Sequence, residues 1–252
     1  MALYIIGLGL FDQKDISLRG LEVIKKCNKV YLEDYTSLLQ CSVEDLENLY
    51  EKKIILSDRN SSEQGAEDII NEAKNKEVAF LVVGDPFSAT THSEIWRLAK
   101  ENKVEVRVIN NASILTAIGI TGLQLYKFGK TTSIPFLDDF PKLETPYNVI
   151  KQNKTIGLHT LCLLDIKKDQ DRFMTVNQAI EVLEDIESRK KEDLINDNTF
   201  VIGCARLGTD NFIIKSGKLK DIKLVDFGIA PHCLIIPGKM HFAEEEILEL
   251  HK

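Results

Sequence analysis

The feature that most constrains this chain is a recurrence of continuous apolar runs of strand length, at residues 3–6, 29–32, 78–83, 104–109, 160–164, 200–204 and 233–236. A strand with one wet face alternates apolar and polar side chains, so unbroken runs suit strands covered on both faces, as in a parallel sheet flanked by helices. The segments between them supply those helices. Leu18, Leu21, Val23 and Ile24 share one face; so do Ile95, Leu98 and Ala99, and again Ala179, Ile180, Leu183 and Ile186. Ser61-x-x-Gln64, Thr91-x-x-Glu94 and Thr175-x-x-Gln178 each match the capping box that starts a helix. Strand alternating with helix defines an α/β protein. The loop-rich stretch 127–147, with Gly129, Pro135, Pro141 and Pro146, separates two such series, so two α/β lobes are expected, 1–125 and 126–252.

Composition narrows the class. At 252 residues and 44% hydrophobic content the chain can bury a sizeable core without a metal or disulfide staple. With 39 Asp and Glu against 32 Lys and Arg, its net charge of −7 lacks the basic field that phosphate backbones require, and no direct nucleic-acid partner is expected. The five cysteines are scattered and never spaced as CxxC; Cys162, Cys204 and Cys233 lie inside apolar runs and read as small core residues of a reducing compartment. Residues 1–11 are apolar but lack a basic start and are broken by Gly7 and Gly9, so no signal peptide is expected. No run reaches the ~18 residues of a membrane span. A cytoplasmic protein free of membrane is the expectation. His92, His159, His232, His241 and His251 form no HxH, HExxH or HxxxH pair, and no GxSxG elbow occurs, so neither metal nor covalent catalysis is expected.

The ends of the strands carry the chemistry. Ile6 runs into Gly7-Leu8-Gly9-Leu10, Val83 into Gly84-Asp85-Pro86, Leu164 into Asp165, Cys204 into Ala205-Arg206-Leu207-Gly208, and Ile236 into Pro237-Gly238. Ligands of open α/β sheets bind beyond the carboxyl ends of strands, where glycine lets backbone approach them, so several of these ends are expected to line one crevice. Gly7-x-Gly9 opens a dinucleotide fingerprint, but Asp12 stands where the third glycine belongs; the motif is either part of a ligand site or a tight turn alone. Glu33 and Asp34, after the second strand, are placed to meet a ribose. A pyrophosphate fits poorly, because Asp12 and Asp15 would repel it. Asp85 is the only charge between residues 78 and 89; it either stabilises its turn or helps hold a cationic or adenosyl ligand.

Taken in order, these residues and their neighbours do more than pattern counting. Ile6-Gly7-Leu8-Gly9-Leu10, Glu33-Asp34-Tyr35-Thr36-Ser37, Gly84-Asp85-Pro86 with Ala89-Thr90-Thr91-His92, Asn111-Ala112-Ser113-Ile114, the segment 122–129, His159-Thr160-Leu161, Leu164-Asp165-Ile166-Lys167, Ala205-Arg206 and Pro237-Gly238 resemble the diphthine synthase family of the tetrapyrrole methylase superfamily over essentially the whole chain. The resemblance implies two α/β lobes of tetrapyrrole methylase type, with S-adenosyl-L-methionine in the cleft between them, S-adenosyl-L-homocysteine as product, and a homodimer. It implies a protein substrate, translation elongation factor 2, in which a histidine already carries a 3-amino-3-carboxypropyl group. Methylation of that group to diphthine is a step of diphthamide biosynthesis. Eukaryotic members of the family are understood to methylate the amine three times and also esterify the carboxylate, whereas archaeal members stop at the trimethylated amine. Carried onto matching positions, the family's cofactor contacts fall at Leu10, Asp85, Ser88, Ser113, Ile114, Leu164, Leu207 and His232. The segment 167–175 looks shorter than in many eukaryotic relatives, which leaves the number of methyl groups open.

Methyl transfer from a sulfonium calls for alignment and exclusion of water rather than a nucleophilic side chain, so no catalytic residue is assigned. The acceptor amine must be neutral to attack; Asp165 and His159 are candidate proton acceptors by position alone. The loops 35–37 and 127–146 are the expected docking surface for a protein substrate. Two other enzymes compete with this reading. A small-molecule, precorrin-type methylase would share the fold. A dinucleotide-dependent oxidoreductase would use Gly7 and Gly9 for pyrophosphate. An adaptor with an acidic surface would bind no adenosyl compound at all.

Overall fold

The computed structural model describes residues 1–34, 37–57, 62–89 and 92–252; the capping signals at Ser61 and Thr91, and Tyr35-Thr36 of the expected docking loop, lie outside them. The chain divides into two compact units, Met1–Leu115 and Thr116–Lys252, where the sequence pattern places the break at 125/126.

The first unit runs β1 (Ala2–Gly7), α1 (Leu18–Lys26), β2 (Lys29–Glu33), α2 (Val43–Tyr50), β3 (Ile54–Ser57), α3 (Ser62–Ala73), β4 (Val78–Val82), α4 (Ser93–Glu101) and β5 (Glu105–Ile109). Its sheet has the order β3-β2-β4-β1-β5 and is parallel throughout. Both faces of the central strands are covered, which is why the runs in β1 and β4 are unbroken; the edge strand β5 alternates instead, with Glu105 and Arg107 exposed, which corrects the continuous run expected at 104–109. Along β1, Leu3 and Ile5 join Ile69, Ile70 and Ile95 of α3 and α4, while Ile6 joins Ile24 and Leu46 of α1 and α2. β4 divides the same way, with Val78, Phe80 and Val82 on one side and Ala79 and Leu81 on the other. Ser17 caps α1 by accepting from the Gly20 amide, and Ser42 with Asp45 forms a full capping box on α2. The edge strand β3 carries part-exposed Ile55 and Leu56 and makes no long apolar run.

The second unit begins within α5 (Ile114–Ala117) and continues through β6 (Thr132–Ile134), α6 (Thr145–Thr155), β7 (Thr160–Leu164), β8 (Ile166–Lys167), β9 (Arg172–Phe173), α7 (Val176–Lys190), β10 (Phe200–Ala205), β11 (Ile213–Lys218), α8 (Leu219–Ile222), β12 (His232–Ile236) and α9 (Phe242–Glu249). Its main sheet has the order β11-β10-β12-β7-β6, with β8 and β9 forming a separate hairpin. Here the parallel expectation is corrected: only β6 and β7 are parallel, and β7–β12, β12–β10 and β10–β11 are antiparallel. Burial on both faces makes a central strand read as a continuous apolar run whatever its direction, so the runs at 160–164, 200–204 and 233–236 do not reveal it.

The direction of β12 decides what lies where. Its amino end pairs His232 with Ala205 and Cys233 with Leu163, so His232 stands beside the carboxyl ends of β10 and β7. Pro237-Gly238, expected among the site-lining strand ends, falls at the opposite edge of this sheet. Thr175 and Gln178 form the expected capping box on α7. Cys162, Cys204 and Cys233 are free, buried thiols packed as core residues. Among the described residues no helix is long and apolar enough to cross a membrane.

Candidate functional site

In the first unit, the carboxyl ends of the adjacent strands β4, β1 and β5 are tied by one carboxylate. Asp85, only 7% exposed, accepts from the Phe87 amide (3.0 Å) and Ser88 hydroxyl (3.0 Å) on one oxygen, and from Asn110 Nδ2 (2.9 Å) and the Asn111 amide (3.2 Å) on the other. Burial alone would raise its pKa, but the donors, led by Asn110, hold the carboxyl below its usual range. Asn111 completes the tie by donating from Nδ2 to the carbonyls of Gly7 (3.0 Å) and Asp15 (3.0 Å). The turns approach closely because Gly7 has no side chain: a Cβ there would fall 2.5 Å from the Gly84 carbonyl oxygen. Gly9 and Gly84 bond each other's backbone, and both take left-handed φ angles, 84° and 78°. Among the described residues a Cβ at Gly84 would make only ordinary van der Waals contacts, with the Ala112 carbonyl oxygen at 3.7 Å and the Leu10 side chain at 3.8 Å.

The expected cofactor contacts of this unit gather around these turns. Half-buried Leu10 lies beside Gly84, with its amide held at 3.0 Å by an Asp15 carboxylate oxygen that also accepts from the Phe11 amide at 2.8 Å. Ser88 turns its hydroxyl to Asp85; buried Ser113 caps the Leu115 amide at 3.1 Å where α5 begins with Ile114. Asp15 has a further consequence. Its carboxylate occupies amides of the Gly-x-Gly turn that a pyrophosphate would need. Glu33, expected near a ribose, is instead 1% exposed and accepts from Ser37 Oγ at 3.4 Å.

In the second unit, Leu164, Leu207 and His232 meet at one sheet edge, all buried. His232 Nε2 lies 3.0 Å from the Ile229 carbonyl, so it must carry the proton; Nδ1 is buried and has no partner among the described residues. Burial holds the imidazole below its usual pKa, helped by Arg206 and opposed by the Ile229 and Gly228 backbone and by Asp226. Asp165, next to Leu164, accepts from the Phe136 amide at 3.3 Å, and its carbonyl takes the Met174 amide at 2.9 Å.

His159 does not belong to this edge. It precedes β7, roughly 17 Å from Leu164 at about 3.3 Å per strand residue. Fully buried, it accepts from the Gly238 amide on Nδ1 (3.0 Å) and donates from Nε2 to Glu244 (3.1 Å), so neither nitrogen is open to a substrate proton. That corrects its candidacy as a proton acceptor. Glu244 also accepts from Lys127 and from the amides of Gln124 (2.9 Å) and His241 (2.7 Å). This buried centre leaves no local sequence signal, because its parts come together only when α9 docks.

Two α/β units whose sites are glycine turns, backbone and satisfied carboxylates, set at strand ends, suit an enzyme that holds an already activated group donor. The chain belongs to the tetrapyrrole methylase family, whose model, Tetrapyrrole (Corrin/Porphyrin) Methylases, matches residues 2–223; it is a methyltransferase of that family. Within it, the chain is 49% identical to the diphthine methyl ester synthase of Dictyostelium discoideum, over 99% of this chain and 97% of that protein. It is 48% identical to the diphthine synthase of Methanocaldococcus jannaschii, over 98% and 97%. A crystal structure of diphthine synthase superposes with a TM-score of 0.90 at 37% identity, covering 100% of this chain and 96% of that one.

Proposed function

We propose that this chain transfers methyl groups from S-adenosylmethionine to the 3-amino-3-carboxypropyl group on a histidine of translation elongation factor 2, forming diphthine in diphthamide biosynthesis. The observation that carries the cofactor half of the reading is the Asp15 carboxylate on the Leu10 and Phe11 amides. It closes the turn after β1 to a phosphate, which counts against a dinucleotide-dependent oxidoreductase, and leaves the side-chain-free Gly84 backbone beside Leu10 as the proposed place of approach. Carboxylates at this edge favour a cation over a phosphate. The residues proposed to contact the donor are Leu10, Asp85, Ser88, Ser113 and Ile114 in the first unit, and Leu164, Leu207 and His232 in the second.

When bound, S-adenosylmethionine supplies an electrophilic methyl on a sulfonium. The protein's task is alignment and exclusion of water. Asp85 spends its carboxylate on four internal donors, so its part is to fix the ends of β4 and β5, while contacts to the donor come from the backbone around it. Asp165, just beyond the carboxyl end of β7, is the remaining candidate for taking the proton that the acceptor amine must lose, and no catalytic residue is assigned.

The protein substrate is supported by similarity to diphthine synthases across nearly the full length of both chains. With it come a homodimer, a cytoplasmic location and the loop 127–146 as docking surface. The test is incubation with labelled S-adenosylmethionine and elongation factor 2 bearing the aminocarboxypropyl histidine, followed by intact-mass counting of added methyl groups. Three or four methyl increments are expected. No incorporation into the factor, with transfer to a corrinoid instead, would move the assignment to a precorrin-type methylase.

A further inference from the structure

Arg206 lies at the end of β10, 5% exposed, with its backbone at a left-handed φ of 51°, a conformation unfavourable for a residue with a side chain. Among the described residues its guanidinium donates to backbone carbonyls alone. Nη1 reaches Phe227 at 2.9 Å and Ile229 at 2.5 Å, and Nε and Nη2 reach Asn211 at 3.3 and 3.1 Å. Its own amide donates to the Pro231 carbonyl at 2.8 Å. One side chain thus staples the turn 206–211, which carries Leu207, to the loop 227–231, which delivers His232. Gly228, at φ 69°, lets that loop lie against the guanidinium: a Cβ there would already sit 3.4 Å from Nη1.

The Ile229 carbonyl has two donors, Arg206 Nη1 and His232 Nε2. Because a carbonyl only accepts, this shared oxygen sets the His232 tautomer, with the proton on Nε2 and Nδ1 bare. We propose that Arg206 is a positioning residue of the cofactor site, fixing Leu207 and the His232 tautomer through the carbonyls of Phe227, Ile229 and Asn211. This rests on the assignment of Leu207 and His232 to S-adenosylmethionine given above. The planar fork is what the role requires, because five donors in one plane can bridge two loops, whereas an ammonium is a point donor on a flexible stem. The charge matters too: Arg206 opposes protonation of His232, while Asp226 favours it.

Arg206→Lys and Arg206→Met, made in the full chain, test this by calorimetry with S-adenosylhomocysteine, by steady-state kinetics, and by nitrogen NMR of the His232 ring. With Arg206→Lys the dissociation constant for S-adenosylhomocysteine and the KM for S-adenosylmethionine should rise at least tenfold in protein that stays folded, kcat should change less, and the ring should populate both tautomers. A folded Arg206→Lys with wild-type affinity and a single Nε2-protonated tautomer would overturn the inference alone. If wild-type protein binds no S-adenosylhomocysteine, the proposed function falls and takes the inference with it. Should neither variant fold, the wild-type ring decides: protonation on Nε2 supports the staple and protonation on Nδ1 refutes it.

Discussion

Replacing Asp85 by alanine removes the acceptor for four donors at once, two from its own turn and two from the segment after β5. A hydrogen bond to a charged group contributes about 1.5–3 kcal/mol net, but bonds that share one carboxylate are not additive, and the part-exposed donors regain water when it is gone. We therefore expect Asp85→Ala to cost about 2–3 kcal/mol of folding stability, well short of four full bonds. The effect on binding follows from geometry. Asn111 lies against Gly7, and Gly84 bonds Gly9, so untying Asp85 releases the turns at the ends of β1 and β4. Affinity for S-adenosylhomocysteine should fall by more than tenfold, about 1.4 kcal/mol. Asp85→Asn keeps the shape but turns an amide NH2 toward two of the donors, and should fall between alanine and wild type. Isothermal titration on protein shown to be folded measures this directly. Wild-type affinity in Asp85→Ala would mean that the tie at the strand ends has no part in holding the cofactor.

Glu244, at 1% exposure, is held from its ordinary 4.5 to about 2; burial opposes this, but Lys127, the Gln124 and His241 amides and His159 outweigh it. A depressed carboxylate stabilises the fold above the unfolded-state value and loses that contribution as pH falls through the folded one, here about 3 kcal/mol lost between pH 4.5 and about 2. Glu244→Gln should thus be destabilised by a similar amount at neutral pH in denaturant titrations, with the gap to wild type narrowing below pH 4.5; a gap constant with pH would contradict the pairing. Gly7→Ala drives a methyl to 2.5 Å from the Gly84 carbonyl and should cost about 3 kcal/mol, whereas Gly84→Ala makes only ordinary van der Waals contacts and pays about 1–2 kcal/mol for its left-handed φ. Thermal melts that rank the two equally would refute the close approach. His159→Asn should lower stability and leave the pH profile of methyl transfer unchanged, and a moved acidic limb would restore His159 as a proton acceptor.

Much of the first unit was legible because each of its central strands is buried on both faces, so apolar runs, capping residues and strand ends all pointed to one parallel sheet. β3 and β11 were not, since edge strands with a wet side lack unbroken runs, and β6 is only three residues long. The antiparallel course of β12 was invisible for a different reason. A run such as Cys233 to Ile236 records burial and carries no sign of direction, which is why Pro237-Gly238 was expected among the site-lining strand ends and His232 could be placed only by resemblance. Asp85 stood out as an isolated charge beside a glycine turn, and Asp15 as a charge that would repel a pyrophosphate. What the Asp85 carboxylate bonds could not be read, because Asn110 and Asn111 come from a strand end 25 and 26 residues on.

The central claim is that strand-end backbone, with its carboxylates already satisfied, grips an adenosyl sulfonium rather than a phosphate. Crystals grown with S-adenosylhomocysteine test it most directly. The account predicts the adenosyl group against Leu10, Ser113, Leu164 and Leu207, with the Asp15 carboxylate still on the Leu10 and Phe11 amides. A phosphate or a nicotinamide dinucleotide seated on those two amides, with Asp15 displaced, would contradict it.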